Sequence, residues 1–202
     1  MEGIKETYLN RADESKHWEE RVSPALQYFE SFKALDQNLA GKKLLDVGCA
    51  EGIEVGNFKK LGLKTDGVDI SEKFIKEAQR NFPDSNFAVA SAENLPYNNE
   101  SYDIVFCINT LFYTDIEKSV PELCRILKEG GYGIISFDTE IVNLDEEKIF
   151  HTDSIEHLQK VLNLSGAQII QLGDKEERFD QSPFKHRHVF HKIVIQKSTA
   201  EK

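Results

Sequence analysis

The 202-residue sequence lacks features that would assign it to several other classes of protein. Its three cysteines are Cys49, Cys107 and Cys124, and no two of them form a C-x-x-C pair. An odd set of separated thiols argues against a secreted disulfide framework, so we expect small buried side chains in a reducing, cytoplasmic compartment. No apolar stretch approaches the roughly 18 residues that cross a bilayer. Residues 1–6 contain no apolar run, so we expect neither a secretory signal nor a membrane span.

Positive charge is also in deficit. The chain has 25 Lys and Arg against 35 Asp and Glu, a net charge of −10. Because nucleic-acid-binding surfaces are rich in Lys and Arg, this balance argues against a nucleic-acid partner. Hydrophobic residues, by contrast, make up 40% of the chain. A chain of this size buries about 70% of its unfolded surface, which favours one domain that needs no disulfide or metal.

The pattern along the chain divides it into two segments. Residues 1–40 are polar and helix-prone, and they predict an N-terminal helical cap. Over residues 41–198, short apolar strands alternate with amphipathic helices, which is typical of βαβ units and a parallel sheet. No helical pattern separates the last two strands, 167–172 and 188–196, so we expect them to pair antiparallel. The prediction is an α/β, Rossmann-like three-layer sandwich with a seven-stranded, mostly parallel sheet whose last strand is antiparallel.

The strongest motif is LLDVGCAEG at residues 44–52, where a buried strand ends in small residues before a helix. Small residues let a ligand approach the backbone, and a helix N-terminus offers N–H groups to a carboxylate or phosphate. Gly48, Ala50 and Gly52 alternate and do not form G-x-G-x-x-G, so a nicotinamide dinucleotide is the weaker interpretation. A tight strand–helix turn without a ligand is the alternative.

Three further signals occur where later predicted strands end. Asp69 ends the second strand, where an acid can face a ribose bound over the first loop; alternatively, it only caps the next helix. Residues 91–96 follow the third strand and can edge an adenine ring, with Glu93 near its exocyclic amine. Asn109 follows the fourth strand beside the same pocket. A capping-box pattern from Ser119 predicts the start of another helix.

In this order and spacing, the segments resemble the class I S-adenosylmethionine-dependent methyltransferases over roughly residues 40–138. RILKEGG at 125–131 adds to the resemblance, since the family often has R-x-L-K-P-G-G there; Glu129 replaces the proline. The small-molecule, UbiE-like branch looks most similar. The resemblance implies an enzyme that transfers a methyl group from S-adenosylmethionine to a small-molecule acceptor by in-line displacement and leaves S-adenosylhomocysteine.

The resemblance also implies roles at a cofactor site. Asp46 would orient the glycine loop and the methionine ammonium group, and Asp69 would hold the ribose. Ile70 would lie against the adenine, and Asn109 would lie near the methionine portion. The full implied set is Asp46, Gly48, Cys49, Ala50, Gly52, Asp69, Ile70, Ala92, Glu93 and Asn109.

Two departures from the family pattern bear on the acceptor. Ala50 replaces the middle glycine, and Tyr113 stands where many relatives have His. The loop 109–112 lacks the N-P-P-Y form, which disfavours methylation of exocyclic base amines. We expect catalysis mainly by positioning, with Tyr113, Asp115 and His151 as candidate general bases.

Aromatic residues Tyr8, Trp18 and Tyr113 are candidate substrate contacts, although those near the N-terminus can equally pack the helical cap. His186 and His188 fall on one face of the last strand, but His191 falls on the other and no cysteine is adjacent. We therefore expect an exposed strand end and no metal site. An RNA or protein methyltransferase and a non-catalytic S-adenosylmethionine-binding module are the alternative functions.

Overall fold

The computed structural model describes residues 39–145, 148–180 and 185–199. Most of the predicted N-terminal cap, with Tyr8 and Trp18, lies outside the described residues. The boundary at residues 40 and 41 therefore stays a prediction.

The described residues form eight strands, four α-helices and a short 3₁₀ helix. In chain order they are β1 (Lys43–Val47), α1 (Ile53–Lys60), β2 (Lys64–Asp69), α2 (Glu72–Asn81), β3 (Phe87–Val89), β4 (Tyr102–Cys107), the 3₁₀ helix (Leu111–Tyr113), α3 (Ile116–Ile126), β5 (Leu127–Asn143), β6 (Lys148–His151), α4 (Ile155–Leu164), β7 (Ala167–Asp180) and β8 (His186–Lys197).

The strands belong to one sheet with the order β3-β2-β1-β4-β5-β8-β7. Strands β1 to β5 pair parallel to one another, and β8 runs antiparallel to both β5 and β7. The predicted seven-stranded, mostly parallel sheet with an antiparallel last strand is confirmed. The strand order reverses between β1 and β4, which is where open α/β sheets bind ligands at the carboxyl ends of their strands.

The core occupies both faces of this sheet. Successive strand residues alternate between two buried clusters, as Leu44 and Leu45 of β1 or Ile134 and Ile135 of β5 show. Helices α3 and α4 contact each other and cover one face, and Phe58 of α1 packs on the other. The result is the predicted three-layer arrangement. No helix in the described ranges is long and apolar enough to cross a membrane.

The sheet also has a part that was not predicted. β5 continues to Asn143 and pairs with β6 on one side and with β8, which begins at His186, on the other. Because Ile135 lies opposite Cys107 at the end of β4, the later residues of β5 run beyond the carboxyl end of the parallel strands. We call residues 138–143 of β5 and 186–190 of β8 the strand extension.

Helix α3 begins earlier than the capping-box pattern indicates. Asp115 is its N-cap, and the Asp115 carboxylate accepts a hydrogen bond from the Glu117 N–H at 3.0 Å. Ser119 lies inside the helix, where its hydroxyl donates to the Asp115 carbonyl at 3.1 Å. The prediction of a start at Ser119 is wrong because Asp115 supplies an equally good cap one turn earlier and lets Ile116 enter the core.

Candidate functional site

A cleft opens at the carboxyl ends of the parallel strands, where the strand order reverses. It encloses about 510 Å³ of free space, within the roughly 300–1,000 Å³ of small-molecule sites. The loops after β1, β2, β3 and β4 supply its walls. The lining residues are Val47, Gly48, Val68, Asp69, Ile70, Ala90, Ser91, Ala92, Asn109, Thr110, Tyr113 and Thr114. The structure thus brings together Gly48, Asp69, Ile70, Ala92 and Asn109 of the predicted cofactor set, with Tyr113 beside them.

The loop after β1 bends through three residues with positive φ: Gly48 at 79°, Ala50 at 44° and Gly52 at 79°. A β-carbon on Gly48 would overlap the side chain of Thr110, so glycine is needed where the loops after β1 and β4 meet. Ala50 adopts the same left-handed region, which costs a non-glycine residue about 1–2 kcal/mol. Gly52 is the N-cap of α1, and no side chain caps that helix end.

Asp69 ties the first loop to the second. Its Oδ2 accepts a hydrogen bond from the Ala50 N–H at 3.0 Å, and its Oδ1 accepts one from the Ser71 N–H at 2.8 Å. Asp69 therefore fixes the entry to α2, as the alternative reading expects, and also supports the glycine loop. A carboxylate has about four acceptor positions, so these two bonds are compatible with bonds to ribose hydroxyls.

Asp46, at the end of β1, is the least satisfied acid of the site. It is 3% exposed, and its Oδ2 has no hydrogen-bond partner among the residues described. Burial raises the pKa of Asp46 well above its usual range, and the carboxylates of Glu54 and Asp69 raise it further. A buried carboxylate beside two others favours a positively charged ligand group. The residues present therefore fit a ligand that carries an ammonium or a sulfonium.

Other predicted cofactor residues lie behind the cleft wall. Cys49 packs against Val55 and Ile75, and burial raises the pKa of its thiol. Glu93 directs its carboxylate to the Asp115 N–H, at 3.0 Å, and does not line the cleft. These two residues support the loops on which the lining residues stand.

The three candidate general bases are in different places. Tyr113 lines the cleft, and its ring centroid is 3.8 Å from that of Phe112. Asp115 caps α3 and pairs with Lys118 at 2.9 Å, a hydrogen bond that lowers the pKa of Asp115. His151 ends β6, and its side chain lies outside the described part of the structure. Of the three, only Tyr113 is placed in the cleft by the described residues.

The loop after β3 is held by Arg125 of α3. Its guanidinium donates to the Leu95 carbonyl at 3.0 Å, the Tyr97 carbonyl at 2.7 Å and the Glu122 carboxylate at 2.6 Å. Glu122 in turn accepts from the Leu95 N–H at 2.7 Å. The arginine of the RILKEGG segment thus positions the loop that carries Ala92.

Sequence reasoning misjudged the histidines of β8. His186 and His188 share a face, with ring centroids 4.8 Å apart, but they are 2% and 1% exposed. The prediction of an exposed strand end is wrong because β5 and β7 continue on both sides of β8. Within the described ranges, no three His, Cys, Asp or Glu side chains are grouped so that they could hold a metal ion.

Comparison with known proteins matches the cleft to a family model. Residues 45–135 match the model described as a methyltransferase domain. A ubiquinone biosynthesis O-methyltransferase from Thiobacillus denitrificans is 35% identical over 104 residues, which is 48% of this chain and 45% of that protein. The chain spans 61% and 45% of the lengths of the first two curated relatives it matches.

Solved structures share the fold. A methyltransferase structure from Bacillus halodurans superposes with a TM-score of 0.68 at 14% identity and covers 87% of this chain and 99% of that one. A Haemonchus contortus phosphoethanolamine N-methyltransferase, solved with S-adenosylhomocysteine, has a TM-score of 0.65 at 16% identity over 86% of this chain and 53% of that one. At these identities the likeness establishes the fold.

Proposed function

We propose that this chain, a member of the class I S-adenosylmethionine-dependent methyltransferase family, transfers a methyl group to a small-molecule acceptor. The observation that carries the proposal is the cleft between the loops after β1 and β4, with Asp46 and Asp69 at the strand ends. S-adenosylmethionine supplies an activated methyl group on a sulfonium when bound, and S-adenosylhomocysteine is the product.

We assign the cofactor contacts from the lining residues. Gly48 gives the methionine portion access to the backbone, and the carboxylate of Asp46 accepts from its ammonium group. Asp69 accepts hydrogen bonds from the ribose hydroxyls. Ile70, which is 40% exposed at the cleft, presents an apolar surface to the adenine, with Ala92 on the opposite side. This division follows the polarity of the wall from its buried acid to its exposed isoleucine.

The work left to the protein is mainly positioning. The acceptor atom has to be held in line with the bond that breaks, and such proximity can contribute up to roughly 7–11 kcal/mol. Asn109 and Tyr113 lie where the loop after β4 meets the cleft, so they are the residues we assign to the boundary between cofactor and acceptor. Asn109 adopts a positive φ of 56°, a conformation that Asn tolerates better than most residues.

The small-molecule class of the acceptor is supported by the relatives. Proteins named ubiquinone biosynthesis O-methyltransferase are 33–36% identical to this chain over about half of its length. We further propose that residues 41–198 form the cofactor-binding domain, with residues 1–40 as its cap. A cytoplasmic location is supported by the three buried, unpaired cysteines.

The direct test is methyl transfer from methyl-labelled S-adenosylmethionine into a metabolite extract, with products separated from the cofactor. Label in a small molecule is the expected result. Label recovered only in RNA or protein would contradict the small-molecule acceptor. Binding of the cofactor with no labelled product at all would instead indicate a non-catalytic module.

A further inference from the structure

The strand extension contains an ionisable pair that has no part in the cofactor contacts assigned above. His188 Nδ1 lies 2.8 Å from Asp138 Oδ1, and both side chains are 1% exposed. A carboxylate can only accept, so Nδ1 carries the hydrogen and Nε2 of the neutral ring is the basic nitrogen. Replacing such a buried pair by apolar residues is often neutral or stabilising, so stability alone does not account for it.

Two chains of contacts join this pair to the cleft. The His188 ring meets the Phe112 ring edge-on, with centroids 4.7 Å apart, and Phe112 in turn contacts Tyr113, which lines the cleft. Opposite His188 in the β7–β8 ladder, Arg178 donates to the amide oxygen of Asn109, a second lining residue. The pair is thus one side chain removed from the cleft on both routes.

The groups around His188 define its electrostatic surroundings. Asp138 faces it from β5, Arg178 from β7 and His186 from its own strand. The Arg178 guanidinium lies 5.9 Å from the centroid of the Phe112 ring. This surface combines an aromatic face, a cation and a histidine oriented by a carboxylate, which is the arrangement that general-base catalysis uses.

We propose that the strand extension forms the acceptor subsite, that the acceptor is a hydroxyl compound, and that His188 is its general base with Asp138 as the positioning residue. The inference rests on the proposed function. The acceptor oxygen forms a bond to the methyl carbon, the methyl–sulfur bond breaks with its electron pair left on sulfur, and the hydroxyl proton moves to His188 Nε2. The resulting imidazolium is stabilised by the Asp138 carboxylate and then returns its proton to water.

The test compares the wild type with His188→Gln, Asp138→Asn and the control His191→Gln in the labelled-extract assay. His191 lies on the same strand but bonds to the Gly173 carbonyl at 3.0 Å, away from Asp138. The wild type should yield O-methyl products. Both site variants should lose at least about 100-fold in rate, the lower range for a general base, while the control and S-adenosylhomocysteine affinity change little. Raising the assay pH, which ionises the acceptor without help, should bring the site variants back toward the wild type.

The opposite results are equally clear. N-methyl or S-methyl products from the wild type would overturn this inference and leave the proposed function standing; this readout needs no variant to fold. O-methyl products formed at near wild-type rates by both variants would also overturn it, as would an equal loss at every pH. No labelled product from a wild type that binds the cofactor would remove the proposed function and this inference together.

Discussion

The glycine at the end of β1 shows how a single residue opens the site. Gly48 and Gly41 have the same φ of 79°, but a β-carbon on Gly41 meets nothing within 4 Å, whereas one on Gly48 overlaps Thr110. Alanine at either position should lose about 1–2 kcal/mol of unfolding free energy for the left-handed backbone. Only Gly48→Ala should also weaken S-adenosylmethionine binding, by tenfold or more, because Thr110 must move into the cleft.

Calorimetric titration of both variants, with denaturant unfolding for stability, measures this difference. Equal cofactor affinity in the two folded variants would show that the close approach of Gly48 to Thr110 does not shape the binding site.

Glu51, beside the same loop, links stability to pH. Burial raises its pKa from 4.5 to about 7. Because the folded state favours the protonated form, the stabilisation is present below the unfolded pKa and is lost as pH rises through the folded pKa. Glu51→Gln should match the wild type near about pH 5 and be more stable by roughly 1–2 kcal/mol near about pH 8, after allowance for solvent screening. Urea unfolding at both pH values measures it; a constant difference between the two proteins would contradict the assignment.

Which residues of the site could be foreseen depends on how local their signals are. Gly48, Asp69 and Asn109 each follow a buried strand directly, so strand position alone brings them to the cleft. His188 and Asp138 lie 50 residues apart in sequence. They meet only because β5 and β8 pair beyond the predicted strand ends, and no short motif records that register.

At the scale of elements, α3 is more than a cover for the sheet. Arg125 and Glu122 on this helix hold the loop after β3 through the bonds to Leu95 and Tyr97. Arg125→Lys should lose about 1–3 kcal/mol of stability, since lysine cannot reproduce the fork of donors. Cofactor affinity should fall as well, because the loop positions Ala92.

The exposed Arg80 of α2 offers the matched control, and Arg80→Lys should leave both quantities unchanged. Hydrogen exchange of the loop amides reports the loosening directly. Protection of residues 91–97 at wild-type levels in Arg125→Lys would show that the loop is held by other contacts.

The strand extension marks the limit of pattern reading for elements. The parallel strands are short apolar runs, and their positions follow from composition. Beyond Phe137, Asp138 and Glu140 interrupt the apolar alternation, and the ladder with β8 shifts register between them. A strand built for a site carries polar residues inside, so its pattern does not predict a strand.

At the scale of the whole molecule, charge should distinguish the cofactor from its product. The chain carries a net charge of −10, and the cleft adds the buried acids Asp46 and Asp69. S-adenosylmethionine has a sulfonium charge that S-adenosylhomocysteine lacks. Added salt should therefore weaken S-adenosylmethionine binding more than S-adenosylhomocysteine binding. Parallel titrations at low and high salt measure the two slopes, and equal slopes would contradict a role for these carboxylates.

The fold alone does not distinguish a methyl donor from a dinucleotide, because both bind at the reversal of strand order in doubly wound sheets. The most direct measurement is calorimetric titration of the wild-type chain with S-adenosylmethionine, S-adenosylhomocysteine and NAD in the same buffer. We predict that S-adenosylmethionine and S-adenosylhomocysteine compete for one site per chain and that NAD gives no binding heat. Preferential binding of NAD, or no binding of S-adenosylmethionine to the folded protein, would contradict the assignment of this cleft.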